Sequence, residues 1–155
     1  MTINIAQAHA ESVAAPQYFF ARWADMATWP EWNTDTEWVR LDGPFATGST
    51  GQLKPKGGPK VRFTIAALTD RTFVDVSHLV GAKLTFDHAI EPTEAGGSVV
   101  RVAISMSGPL ARLWNALLGK GLRTSVQADL DRLVTTAESD GAAVASEPTG
   151  TPRAG

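Results

Sequence analysis

The stretch whose reading decides the fold is Lys83-Leu84-Thr85-Phe86-Asp87-His88-Ala89-Ile90-Glu91-Pro92-Thr93-Glu94-Ala95-Gly96-Gly97-Ser98-Val99-Val100-Arg101-Val102-Ala103-Ile104-Ser105-Met106. Leu84, Phe86, His88 and Ile90 fall on one side of an extended chain, opposite Lys83, Thr85, Asp87 and Ala89, and Val100, Val102, Ile104 and Met106 repeat the pattern. A period of two is that of a sheet with one buried face. The segment Glu91 to Gly97 is too short for a parallel crossover, which takes about a dozen residues, so the two strands are predicted to pair antiparallel.

Upstream, Val61, Phe63 and Ile65 alternate with Arg62 and Thr64, and Thr72 to His78 continues the alternation. In that second segment Val74, Val76 and His78 share one side, and Phe73, Asp75 and Ser77 the other. Taking the valine side as the interior puts Asp75, like Asp87, toward solvent. Earlier short strands are punctuated by Asp42-Gly43-Pro44, by Gly48 and Gly51, and by Gly57-Gly58-Pro59; Ile3 to Glu11 opens the chain as a further strand. After that strand, Pro16 suits the first turn of a short helix to Asp25 bearing Tyr18, Phe19, Phe20 and Trp23, and a second short helix follows through Trp29 to Asn33.

Downstream, Gly108-Pro109 introduces a long helix. Leu110, Leu113, Trp114, Leu117 and Leu118 make one broad apolar side, which resumes at Leu122, Val126, Leu130, Leu133 and Val134 after a kink permitted by Gly119 and Gly121. So much leucine must be covered, and the concave side of the sheet is the available surface. The pattern predicts an α+β domain over residues 1–139 and a flexible tail over 140–155, where small residues, Pro and Gly carry no periodicity.

A chain of 155 residues with 43% hydrophobic side chains suffices for one well-buried core without staples. The absence of Cys excludes thiol catalysis, thiolate zinc sites and disulfides. Fourteen basic against sixteen acidic residues give a net charge of −2, so no nucleic-acid partner is expected. No stretch approaches the roughly 20 apolar residues that cross a bilayer, and the opening residues lack a basic leader with an apolar run. No integral membrane association and a cytoplasmic location are expected.

The helix bearing Trp23-Ala24-Asp25, the Trp29-Pro30-Glu31-Trp32 segment, Leu41-Asp42-Gly43-Pro44 to Gly48, Gly81-Ala82-Lys83-Leu84-Thr85-Phe86, Gly96-Gly97 and Gly108-Pro109-Leu110 occur here in that order. Together they resemble the polyketide cyclase/dehydrase-like branch of the SRPBCC superfamily, related in fold to START lipid-transfer proteins and the birch-pollen allergens. The resemblance runs from about residue 2 to 138. It implies a helix-grip fold: a curved seven-stranded antiparallel sheet, two short helices, and a long C-terminal helix with a cavity between helix and sheet. Such cavities in the family accept hydrophobic or amphipathic small molecules. The resemblance implies a pocket more strongly than it implies catalysis.

Eight residues are candidate ligand contacts: Phe63, Val76, Phe86, Trp114, Leu118 and Leu122 as walls, with His78 and His88 as polar anchors if the register turns them inward. Trp23, Trp29 and Trp32 read first as packing of the short helices, and Trp114 as the better candidate for a wall. With the opposite phase, Thr85, Arg101 and Ser105 would line the interior, and the arginine would receive a carboxylate or enolate oxygen. His78 and His88, separated by a turn, can approach on adjacent strands, but no third imidazole or matched carboxylate completes a coordination set, so no metal and no cofactor are expected.

Three functions remain open. One is a small-molecule binding protein. A second is a cyclase or dehydratase acting on a carbonyl compound with His88 or His78 as general base. The third is an interaction or stress-response module with a collapsed interior.

Overall fold

The computed structural model describes residues 2–145. Seven strands, β1 (Thr2–Ser12), β2 (Thr36–Asp42), β3 (Thr50–Pro55), β4 (Val61–Leu68), β5 (Thr72–Leu79), β6 (Ala82–Pro92) and β7 (Ser98–Ser107), form one antiparallel sheet. Their spatial order is β1-β7-β6-β5-β4-β3-β2, so β1 and β2, consecutive in sequence, occupy opposite edges. The chain between them is helix α1 (Pro16–Ala24) and a 3-10 helix (Met26–Glu31). Pro16 stands in the first turn of α1, where its missing N–H costs nothing. Register shifts at Asn4/Ala6, Thr36/Trp38 and Ile65/Ala67 bend the strands that carry them.

Helix α2 (Ala111–Ala145) crosses the concave face. Val126, Leu130, Leu133 and Ala137, at helical spacing, are buried with Ile5 and Ala8 of β1 and Val100, Ile104 and Met106 of β7. Phe19 and Trp23 of α1, both without solvent exposure, complete the core with Phe73 and Ile90. The sheet grips the helix at its start through the β5–β6 turn. Gly81 has φ +70°, its carbonyl accepts from Leu110 N at 2.9 Å, and the Val80 carbonyl accepts from Trp114 Nε1 at 2.7 Å.

Three expectations about α2 change. The helix proper begins at Ala111, after a turn at Gly108 to Leu110, and runs unbroken through Gly119 and Gly121. It also continues through the start of the predicted tail to Ala145. Arg22 of α1 grips Asp140 with two prongs, Nε to Oδ2 at 2.7 Å and Nη2 to Oδ1 at 3.0 Å, which ties residues past the predicted boundary to the domain. The rest of that tail, 146–155, lies outside the described residues.

The other correction concerns β5. Phe73, Asp75 and Ser77 face the interior, whereas Val74, Val76 and His78 face outward. The pairing explains it: directly opposed residues share a face, and Asp75 pairs with Ile65 on one side and Phe86 on the other, both inward. Thr85, Arg101 and Ser105 lie on the outer face with them, out of phase with the buried Leu84, Val102 and Ile104.

Candidate functional site

Between the sheet and α2 lies a cavity of about 430 Å³. Its floor is the inward row of the central strands, Asp75 and Ser77 of β5, Leu84, Phe86 and His88 of β6, and Val102 and Ile104 of β7. Its roof is Leu118, Leu122, Val126, Leu130 and Leu133 of α2, and Trp23, Trp29 and Trp32 close one side. Exposed Asp35, Lys56 and Gly121 also line it, so the cavity reaches the surface between the 3-10 helix, the end of β3 and the middle of α2.

Its walls are held by hydrogen bonds among the lining residues and from Arg132 behind them. The Trp29 indole donates to the Trp23 carbonyl at 3.2 Å, Arg132 Nε donates to the Trp32 carbonyl at 3.0 Å, and Arg132 is also paired with Asp129. The backbone N–H of Lys56 donates to the Asp35 carbonyl at 2.9 Å, fastening the rim. Burial raises the Asp129 carboxyl above its ordinary value, and the Arg132 partner offsets part of that rise.

The polar centre of the floor is Asp75 with His88. His88 Nδ1 is 2.9 Å from the Phe73 carbonyl. A carbonyl only accepts, so Nδ1 carries the proton and Nε2 keeps the lone pair. The imidazole stacks on Phe73, with centroids 4.9 Å apart, and meets Trp23 at 5.2 Å. Asp75 Oδ1 is 3.9 Å from His88 Nδ1, too far for a hydrogen bond, and has no partner among the described residues. Burial pushes the Asp75 carboxyl up to about 7 and pulls the His88 imidazole down to about 4, because both charged forms lose hydration there. The indole N–H groups of Trp23 and Trp32 are likewise buried without partners.

Of the eight residues singled out from sequence, Phe86, His88, Leu118 and Leu122 line this cavity. Phe63 faces inward but is packed into the wall beneath β3, its ring against Gly51, where a Cβ would stand 2.5 Å from Phe63 Cζ. Val76 and His78 are on the wrong side of the sheet; His78 Nε2 is 2.8 Å from Thr64 Oγ1 on the exposed face. Trp114 is drawn away from the cavity by its hydrogen bond to Val80. The sequence reading missed Asp75 and Ser77 as floor residues, and it read the three tryptophans as packing first, whereas they also form a wall. Among the described residues no cluster of His, Cys, Asp or Glu is arranged to hold a metal, and no helix is long and apolar enough to cross a membrane.

The family described as "Polyketide cyclase / dehydrase and lipid transport" matches residues 5–138. Among solved structures, the di-domain aromatase/cyclase StfQ from the steffimycin biosynthetic pathway superposes with a TM-score of 0.68 at 14% identity, covering 94% of this chain and 52% of that one. Norcoclaurine synthase from Thalictrum flavum, solved as a point mutant with a transition-state analogue, gives 0.68 at 11% identity, covering 90% of this chain and 96% of that one. Ara h 8.0201 gives 0.60 at 14% identity over 92% of this chain and 99% of its own. At these identities the likenesses establish the helix-grip fold and nothing finer. No curated protein matches the chain in sequence.

Proposed function

The chain belongs to the polyketide cyclase / dehydrase and lipid transport family, and on that premise we propose that it binds a hydrophobic or amphipathic small molecule in the cavity between sheet and α2. The observation that carries the reading is the cavity of about 430 Å³, open at one mouth and walled by leucine, valine and aromatic side chains around a few buried polar atoms. Apolar burial there supplies affinity, at roughly 25 cal/mol per Å² removed from water, and the polar floor fixes orientation. A collapsed interior, which an interaction module predicts, is not what these side chains enclose. The proposal includes a cytoplasmic location, testable by fractionating cells that express the tagged chain.

The test is native mass spectrometry of gently purified protein, with extraction of whatever it retains. A one-to-one adduct that disappears on denaturation is expected. A spectrum that stays apo, before and after incubation with a panel of apolar amphiphiles, overturns the proposal.

A catalytic reading is favoured by one observation, the buried Asp75 carboxyl on the cavity floor with its Oδ1 unpartnered, where burial pushes it up to about 7. A general acid or base works best near the ambient pH, so this group is better matched than His88, whose burial leaves it a weak base. Turnover of a carbonyl compound that Asp75→Asn abolishes and His88→Gln retains would support it.

A further inference from the structure

The cavity lining contains four charged side chains that differ in how they are compensated. Asp129 is paired with Arg132. Asp35 and Lys56, of opposite sign, stand exposed at the mouth and are tied through their backbones. Asp75 is 6% exposed, sits on the floor, and has no cation beside it. His88 does not take that role, since its Nδ1 proton is given to Phe73 and the two groups stay 3.9 Å apart. Ser77, the neighbour two residues along the same face, is neutral.

A buried carboxyl oxygen without a partner, as Asp75 Oδ1 is, is costly, and a charge-assisted hydrogen bond from a cationic nitrogen compensates it. The His88 ring nitrogen is 3.9 Å from it, the Trp23 ring meets that imidazole with centroids 5.2 Å apart, and Trp29, Trp32 and Phe86 also line the cavity. Aromatic faces attract cations within about 6 Å of their centroids. The same surroundings repel an anion: no lysine or arginine other than Lys56 lines the cavity among the described residues.

Resting on the cavity reading above, we infer that the ligand is a cationic amphiphile: an apolar, cavity-filling body with a protonated amine, the ammonium held by the Asp75 carboxylate beside the Trp23 and His88 rings. Rising ligand occupancy draws the Asp75 proton off, because the bound cation favours the ionised carboxyl.

Calorimetric titration with three probes of one shape tests this: 1-naphthylmethylamine, 1-naphthalenemethanol and 1-naphthoate. The buffer is near pH 8, where Asp75 is ionised and an alkylamine remains protonated. The amine is expected to bind at least about tenfold tighter than the alcohol, and the carboxylate more weakly than either. In Asp75→Asn the amine and the alcohol should become equal, with the alcohol within about twofold of its wild-type affinity. Alcohol binding by the variant reports an intact cavity, and the wild-type ranking stands without any variant. An alcohol or carboxylate that matches or exceeds the amine overturns the cationic ligand while sustaining the cavity reading, as does an amine preference that survives in Asp75→Asn. Failure of all three probes to bind defeats both.

Discussion

Asp75 Oδ1 lies 3.9 Å from His88 Nδ1 across the β5–β6 pair, yet the proton on that nitrogen is donated to the Phe73 carbonyl rather than to the carboxyl. The two groups are therefore neighbours that titrate in opposite senses. Burial holds the carboxyl protonated up to about 7 and the imidazole neutral down to about 4. Over most of the range between those values, the floor of the cavity is neutral on both counts.

Stability against pH follows from that opposition. For His88, the unfolded chain binds a proton between about 4 and 6.5 that the native state refuses, so its contribution rises with pH across that window. For Asp75, the native state keeps a proton between about 4 and 7 that the unfolded chain has lost, so its contribution falls with pH. In the wild type the two slopes largely cancel. Relative to wild type, Asp75→Asn should gain stability on going from about pH 4.5 to 6.5, and His88→Gln should lose it, each by on the order of 3 kcal/mol. Urea midpoints at three pH values check this, and parallel profiles for the two variants would refute it.

Filling the cavity should separate binding from folding. Leu122→Trp places an indole in the space under α2 and is expected to weaken any cavity ligand at least about tenfold, at a stability cost below about 1.5 kcal/mol because free volume is available. His78→Ala, on the outer face, loses only an exposed hydrogen bond to Thr64 and should leave ligand affinity unchanged and stability within about 0.5 kcal/mol. Equal loss of binding in both variants would place the ligand elsewhere.

The clasp between sheet and helix depends on one backbone conformation. Gly81 adopts φ +70°, and a Cβ there would stand 2.6 Å from Leu110 Cδ1. Gly81→Ala is expected to cost about 1–2 kcal/mol in thermal or urea unfolding. A variant as stable as wild type would show that the turn adapts freely.

The last turns of α2 depend on Arg22. Its fork onto Asp140, with Glu31 on the other side, is half-buried rather than fully exposed. Arg22→Ala should cost about 1 kcal/mol and speed amide exchange beyond Glu138 while leaving Val126 to Leu133 protected. Uniform loss of protection along the helix would contradict a local role.

The sheet was legible because alternation in β6 and β7 is strict and in β4 holds as far as Ile65, and the final helix because its leucines recur at helical spacing. Half of the candidate site was not, and β5 shows why. Read alone, Val74 and Val76 outvote Phe73, Asp75 and Ser77 as the apolar face. The signal that decides the phase is cross-strand: the two-residue link Val80-Gly81 sets Leu79 opposite Ala82, hence Ser77 opposite Leu84 and Asp75 opposite Phe86. Since Leu84 and Phe86 are inward by the strict pattern of β6, Asp75 must be inward too. Trp114 misled for a different reason: helical phase placed it correctly toward the sheet, but periodicity does not reveal that the Val80 carbonyl captures its N–H. The end of α2 is paired with Arg22 through Asp140, two residues no local pattern connects.

The edge position of β1 bears on how the protein is made. Its partner is β7, with Thr2 opposite Ser107 and Ser12 opposite Ser98, and α2 packs over both. At a synthesis rate of about 5–20 residues per second, the first strand waits several seconds on the ribosome before its only neighbour in the sheet is made. Until then β2 to β6 have only one another to pair with, which leaves β6 without its second neighbour, and the roof of the cavity has not yet been translated. Closure of the interior is thus reserved for the last part of the chain, an arrangement of high contact order that predicts slow folding.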